Sequence, residues 1–160
     1  MEVLCAWLNR PHMRKHYQTS PASLDDVRGK YTPRLDARHS TRCHIATVDG
    51  QPVGKLQCYL VCDYPQFRTE IGVDGGVAVD YFIGEESCLG RGLGKALLCR
   101  YVADVVPRTF PEERVCYVCH AETNQVAIRC SVGAGFRQVG CVVEEGKPSV
   151  LLAYESEKQT

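Results

Sequence analysis

The sequence predicts an α/β (α+β) fold in which helices flank a central, mostly antiparallel mixed sheet. Three observations carry this. Asp49-Gly50 sits between two strand-like runs and reads as a tight hairpin turn. A second pair of apolar runs, Phe136 to Glu144 and Ser149 to Tyr154, brackets Glu145-Gly146-Lys147-Pro148 and reads as another hairpin. Between the hairpins lie a strand at 77–83, a helix from Leu89 to Val106 and a strand at 115–120. That order is a βαβ crossover and makes the two strands parallel neighbours.

The elements follow in order. Val3, Leu4, Trp7, Leu8 and Met13 form a helical stripe over residues 1–17, with Pro11 kinking or ending its first part. Thr19-Ser20-Pro21-Ala22-Ser23 is a break. Ser23 can cap a helix over 24–39, with Asp25 and Asp26 at its positive end and Pro33 against its second half. A strand from Cys43 to Val48 turns at Asp49-Gly50 and returns from Pro52 to Asp63. Tyr64 to Gly76 reads as less regular, with a loop. After the crossover helix, which Pro107 ends, and the strand at 115–120, a helix from Asn124 to Gly133 stops before Gly135.

The chain has 160 residues, 19 basic and 19 acidic, and a formal net charge of zero. It is expected to form one domain, 1–160. The charge balance gives no reason to expect nucleic acid or a membrane as partner. No run approaches the ~18 apolar residues of a spanning helix. MEVLCAWLNRPHM meets a charge and a proline too early for a signal peptide, so a cytoplasmic protein is expected. The 10 cysteines make up about 6% of the chain, below a disulfide scaffold. They read as small core hydrophobes. Cys116 and Cys119 have CxxC spacing, but on a strand residues three apart face opposite ways, so no metal is expected.

The segment that carries chemistry runs from Asp80 to Lys95, Asp-Tyr-Phe-Ile-Gly-Glu-Glu-Ser-Cys-Leu-Gly-Arg-Gly-Leu-Gly-Lys. A strand ends, a glycine-rich turn follows and a helix begins. Glycines let backbone approach a ligand, and the free N–H groups of a first helical turn converge on an anion. Arg91 and Lys95 add positive charge. Gly94-Lys95-Ala96 lacks the hydroxyl of a Walker loop, and the mid-chain position after antiparallel strands does not suit a Rossmann fingerprint. A plain glycine-rich turn is the bland reading.

Ile83-Gly-Glu followed by Leu89-Gly-Arg-Gly-Leu-Gly-Lys-Ala resembles the acetyl-CoA signature of the GNAT superfamily of N-acetyltransferases. Asn124-Gln-Val-Ala-Ile-Arg, then Gly133-Ala-Gly-Phe136, is similar to its later motif. Trp7-Leu-Asn-Arg, Gly54-x-x-Gln57-x-Tyr59, the distance from Asp80 to Leu89-Gly90, and Ala127-Ile-Arg-Cys130 resemble the aminoglycoside 6'-N-acetyltransferases, over residues 4 to 154. The resemblance implies that the parallel strands splay and hold CoA. It places the acetyl-CoA pyrophosphate on Arg91, Gly92, Leu93, Gly94 and Lys95, and the pantetheine and acetyl group on Phe82 and Ile83, with Asn124 near the cofactor. It makes Asp80 the group that takes the proton of the substrate ammonium, against the bland reading of a solvated strand residue.

Three departures accompany the resemblance. Ser131 stands where the family usually has a tyrosine that protonates the leaving thiolate, which leaves water, Cys130 or another tyrosine for that task. The acceptor-side regions carry Asp63, Glu70, Asp74, Glu144 and Glu145, of which Asp63, Glu70, Glu144 and Glu145 are the expected substrate-binding carboxylates, but the segment 63–76 lacks a dense acidic-tryptophan run. The chain begins almost at the first helix, so the superfamily's opening strand is expected to be either absent or lost with a truncated start. The implied partner is a small cationic amine, an aminoglycoside, acted on by a monomer or homodimer. Alternatives are a siderophore hydroxylamine, a polyamine, or a CoA-binding protein without turnover, which Ser131 would favour.

Overall fold

The computed structural model describes residues 1–17 and 19–156. Helices α1 (Glu2–Leu8), α2 (Pro11–His16) and α3 (Leu24–Tyr31) come first, then strands β1 (Arg42–Val48) and β2 (Gln51–Leu60). Helix α4 (Pro65–Ile71), β3 (Val77–Ile83) and α5 (Leu93–Arg100) follow. A π turn, Tyr101–Val105, carries α5 into α6 (Val106–Thr109). The chain closes with β4 (Val115–Ala121), α7 (Gln125–Gly133), β5 (Arg137–Glu144) and β6 (Lys147–Glu155). No strand precedes α1 among the described residues. None of the described helices is long and apolar enough to cross a membrane.

The sheet order is β1-β2-β3-β4-β6-β5. Every neighbouring pair is antiparallel except β3 and β4, which run parallel. Both hairpins turn on two left-handed residues, Asp49 (φ 50°) with Gly50 (φ 78°) and Glu145 (φ 49°) with Gly146 (φ 76°). That is the type I′ geometry, whose twist matches the strands it joins. The second turn is therefore shorter than expected: Lys147 and Pro148 already pair in β6, opposite Glu144 and Val143.

Register decides what each face carries. Lys55 lies opposite Phe82, Gln57 opposite Asp80 and Tyr59 opposite Ala78, so these six side chains share one face. At one end Phe82 packs with Leu4, Trp7, Met13, Val27 and Tyr31 of the N-terminal helices. At the other, Ala78 and Tyr59 pack with Val61, Ile71 and Leu151. Asp80 falls between the two clusters. On the opposite face Val77 and Val79 meet Leu98, Tyr101, Val102 and Val106 of the α5–α6 helix.

Several expectations are corrected. The third helix stops at Tyr31, and Pro33–Leu35 forms a short 3₁₀ turn. Ser23 caps it as expected: its Oγ accepts from the Asp26 N–H (3.1 Å) and Asp26 Oδ2 accepts from the Ser23 N–H (2.9 Å). The segment read as irregular holds α4, with Pro65 in its first turn and Gly72 left-handed at its end. The crossover helix begins at Leu93, because Gly90 (φ 70°) and Gly92 (φ 76°) are left-handed. Pro107 does not end it. The π turn just ahead widens the ladder where the proline ring would press on the preceding turn, and the helix runs on to Thr109. All ten cysteines are free; Cys58 and Cys116 are buried, whereas Cys62 and Cys141 are exposed and not core.

Candidate active site

The site is built on one open seam. β3 and β4 pair only at Val77–Cys116 and Ala78–Tyr117. Beyond that point β3 stays bonded to β2 as far as Ile83, and β4 stays bonded to β6 as far as Ala121. The two strands splay while their outer ladders persist, so the backbone groups that face the seam beyond that point lack a strand partner. The Gly84 N–H donates to Val53 O (2.9 Å) and the Val61 N–H to Gly76 O (3.0 Å). In the same register Ala78, Asp80 and Phe82 turn their backbone groups to β2, and Val79, Tyr81 and Ile83 turn theirs to the seam.

This revises one expectation. Phe82 commits its backbone to β2 and its ring, 7% exposed, to the N-terminal helices. Only Ile83 of the expected pair has seam-facing groups, and its carbonyl is in contact with His12 Nε2 (3.0 Å). Tyr81, one residue pair earlier, was not anticipated.

A cavity of about 560 Å³ threads the seam. Gln57, Tyr59, Asp80 and Cys119 line it from one face, and Tyr81, His120, Asn124 and Ala127 from the other. A cavity lined from both sides of the seam can bring two substrates to one point. Asp80 Oδ2 accepts a hydrogen bond from Gln57 Nε2 at 2.6 Å. Asn124 caps α7, its Oδ1 accepting from the Ala127 N–H at 3.3 Å.

The glycine turn lies at the same end of β3. The Ala96 N–H closes the first turn of α5 on Gly92 O (3.2 Å). The N–H groups of Leu93, Gly94 and Lys95 ahead of it have no partner among the described residues. Arg91, Gly92 and Lys95 are exposed, and Leu93 and Gly94 are half-buried. A Cβ on Gly92 would meet nothing within 4 Å; one on Gly94 would lie 3.2 Å from Cys130 Sγ. Free amides, two cations and an unobstructed approach fit a pyrophosphate. No cluster of metal-ligating side chains occurs among the described residues.

Four of the five acceptor-side carboxylates come together, whereas Asp74 pairs with Arg68 at 2.6 Å and does not line the cavity. Asp63, Glu70, Glu144 and Glu145 all line the cavity with Asp80. The Glu145 N–H donates to Glu70 Oε2 at 3.3 Å, which ties the late hairpin to α4. Burial pushes Glu144 up to about 7, with the Asp80, Glu145 and Glu70 charges adding to the effect and a Cys119 hydrogen bond opposing it. Lys30, Arg34 and Lys147 also reach the lining, and the sequence reading had not placed them there.

The vacancy left by Ser131 has an occupant. Ser131 is fully buried. Its Oγ lies 3.1 Å from the Tyr81 hydroxyl and 2.8 Å from His120 Nε2. A tyrosine from β3 therefore stands against α7 in place of one from α7. Burial raises the Tyr81 phenol above its ordinary value and lowers His120 to about 4, so the first stays protonated and the second neutral. The alternation of β3 put Tyr81 on this face, but nothing in the sequence tied it to Ser131.

Comparison with known proteins agrees with this geometry. The family model of the acetyltransferase (GNAT) domain matches residues 1–143. An aminoglycoside N(6')-acetyltransferase type 1 from Klebsiella pneumoniae is 31% identical over 155 residues, 95% of this chain and 76% of the relative. One from Serratia marcescens matches equally. The structure of AAC(6')-Ib with coenzyme A and kanamycin superposes with a TM-score of 0.77 at 27% identity, covering 96% of this chain and 88% of the other. The same enzyme with paromomycin and acetyl-CoA gives 0.78 at 27%, covering 96% and 86%. The chain is an acetyl-CoA-dependent N-acetyltransferase that belongs to the GNAT family and is related to the aminoglycoside N(6')-acetyltransferases.

Proposed function

We propose that this chain, acting as one domain in the cytoplasm, transfers the acetyl group of acetyl-CoA to a 6'-amine of an aminoglycoside in a ternary complex. The observation that carries the reading is Asp80 in a cavity that crosses the β3/β4 seam, with four further carboxylates lining the same space. Acetyl-CoA supplies an activated thioester whose thiol has a pKa near 8–9, so the thiolate leaves readily.

The residues divide the work. Leu93, Gly94 and Lys95 offer their amides to the pyrophosphate, and Arg91 and Lys95 add charge. Seam-facing amides of β3 polarise the acetyl carbonyl as negative charge develops on it. Asp63, Glu70, Glu144 and Glu145 hold the polycation. Asp80 takes the ammonium proton, directly or through water, and the neutral amine attacks the thioester carbon.

Turnover of acetyl-CoA with kanamycin-like amines tests the reading. Asp80→Asn should lower kcat by about 10²–10⁴ with little change in CoA affinity. Near-normal turnover in the folded variant would remove Asp80 from the role of base.

A further inference from the structure

Lys55 lies mid-way along β2 with only 1% of its surface exposed. A buried ammonium is costly unless its donors and its charge are both answered. No carboxylate lies within ion-pair distance of it among the described residues. Its Nζ donates to Gln57 Oε1 at 2.6 Å and to the Tyr17 hydroxyl at 3.2 Å, with the Tyr31 hydroxyl at 3.5 Å. The rings of Tyr17, Tyr31 and Phe82 stand 5.7, 4.9 and 5.6 Å away. These groups satisfy the N–H bonds and carry no formal charge. Burial pulls Lys55 down to about 8 and the Asp80 charge acts against that pull, so Lys55 is a cation at neutral pH.

The link to Asp80 is an amide with one possible orientation. Lys55 Nζ and Arg34 Nη1 both reach Gln57 Oε1, at 2.6 and 2.8 Å. Neither cation can accept a hydrogen bond. A flipped amide would set its NH₂ against two donors. Oε1 therefore faces the cations and Nε2 faces Asp80 Oδ2, 2.6 Å away. Because Nε2 can only donate, that carboxylate oxygen is held as an acceptor.

We infer that Lys55 is a positioning residue for acetyl transfer: through Gln57 it fixes Asp80 Oδ2 as a hydrogen-bond acceptor and leaves the other carboxylate oxygen to receive the proton of the acceptor amine. The inference rests on the reading of Asp80 as the base. A Lys55 that merely fills space beneath the N-terminal helices would affect stability and not the transfer step.

Lys55→Met keeps the length of the side chain and removes its charge and donors. Its kcat should fall at least about tenfold, the scale of a misplaced catalytic group. KM for acetyl-CoA should stay within about twofold and the melting temperature should not drop, because an apolar replacement of a buried ion is tolerated. Gln57→Leu should show the same loss of kcat, and the double variant no additional loss, since both act through one chain of contacts. A wild-type kcat in folded Lys55→Met, or additive losses in the double variant, overturns the inference. If Lys55→Met fails to fold, a wild-type kcat in Gln57→Leu overturns it equally. Asp80→Asn, measured alongside, separates the two readings: retained turnover there refutes the base itself, whereas lost turnover there with wild-type Lys55→Met refutes Lys55 alone.

Discussion

A glutamate at the end of a hairpin strand is ordinarily a solvated charge, and Glu144 is not. Burial comes first in holding its carboxyl near 7, and the neighbouring Asp80, Glu145 and Glu70 charges work in the same direction. A polycationic amine entering the cavity reverses that balance, because its ammonium groups favour the ionised form. Binding at pH 6 should therefore release more protons from the protein than binding at pH 8. Calorimetry in two buffers of different ionisation enthalpy measures this, with Glu144→Gln removing the difference. KM for the amine should also rise with salt, since exposed pairs are screened over ~8–10 Å. A pH-independent proton count would leave Glu144 outside the acceptor site. The sequence marked Glu144 as an acceptor-side carboxylate but could not show its altered acidity, which arises from burial and from charges on α4 and β3. Lys55 and Arg34 are silent in the sequence for the same reason, and Gln57 enters there only within the Gly54-x-x-Gln57-x-Tyr59 motif, with no link to Asp80. Their hydrogen bonds join residues 23 positions apart, Arg34 to Gln57 and Gln57 to Asp80, and exist only once strand register and helix docking are set.

At the scale of elements, local chemistry was legible wherever it was self-contained. Asp49-Gly50 specified its turn, and the apolar run at 77–83 matches β3 residue for residue. The N-cap at Ser23 was likewise readable. α4 was missed although Pro65 and Gly72 punctuate it, because its seven residues bury only Ile71 and give almost no periodic stripe. Pro107 misled because the π turn that accommodates it depends on the whole helix lying against the sheet. The glycine turn is the element whose substitution separates two effects. Gly92 caps α5 at φ 76° with open space around a would-be Cβ, so Gly92→Val meets backbone strain and no clash. That strain costs about 1–2 kcal/mol. Gly94 has ordinary freedom but a Cβ there would press on Cys130 Sγ at 3.2 Å, between the turn and α7. Each should weaken CoA binding in titration calorimetry, Gly92→Val by tilting the free amides and Gly94→Val by crowding the approach. Gly92→Asn should bind nearly normally, because asparagine tolerates the left-handed region. Equal CoA affinity in all three folded variants would dissociate the turn from the pyrophosphate.

For the molecule as a whole, the open seam imposes buried titratable groups whose effects on stability have opposite signs. His120 titrates near 4 when folded against 6.5 unfolded, because it is buried. The unfolded chain binds the extra proton, so this contribution is fully present above 6.5 and is lost as pH falls through that window. Glu144 titrates near 7 when folded against 4.5 unfolded. Here the folded chain holds the extra proton, so the contribution is present below 4.5 and is lost as pH rises to 7. Each shift corresponds to about 3 kcal/mol at most, and between 4.5 and 6.5 the two nearly cancel. Urea midpoints of the wild type should therefore vary little across that interval on account of this pair. His120→Asn should leave the Glu144 slope exposed, with stability falling as pH rises from 4.5 to 7. Glu144→Gln should leave the His120 slope, with stability rising over 4 to 6.5. The opposition has a functional side, because a cationic acceptor that ionises Glu144 also shifts the stability maximum toward higher pH. A wild-type enzyme saturated with amine should thus resemble Glu144→Gln in the sign of its stability slope. If both variants and the amine complex keep the wild-type profile, neither side chain titrates within the seam, and the electrostatic description of the acceptor side fails with them.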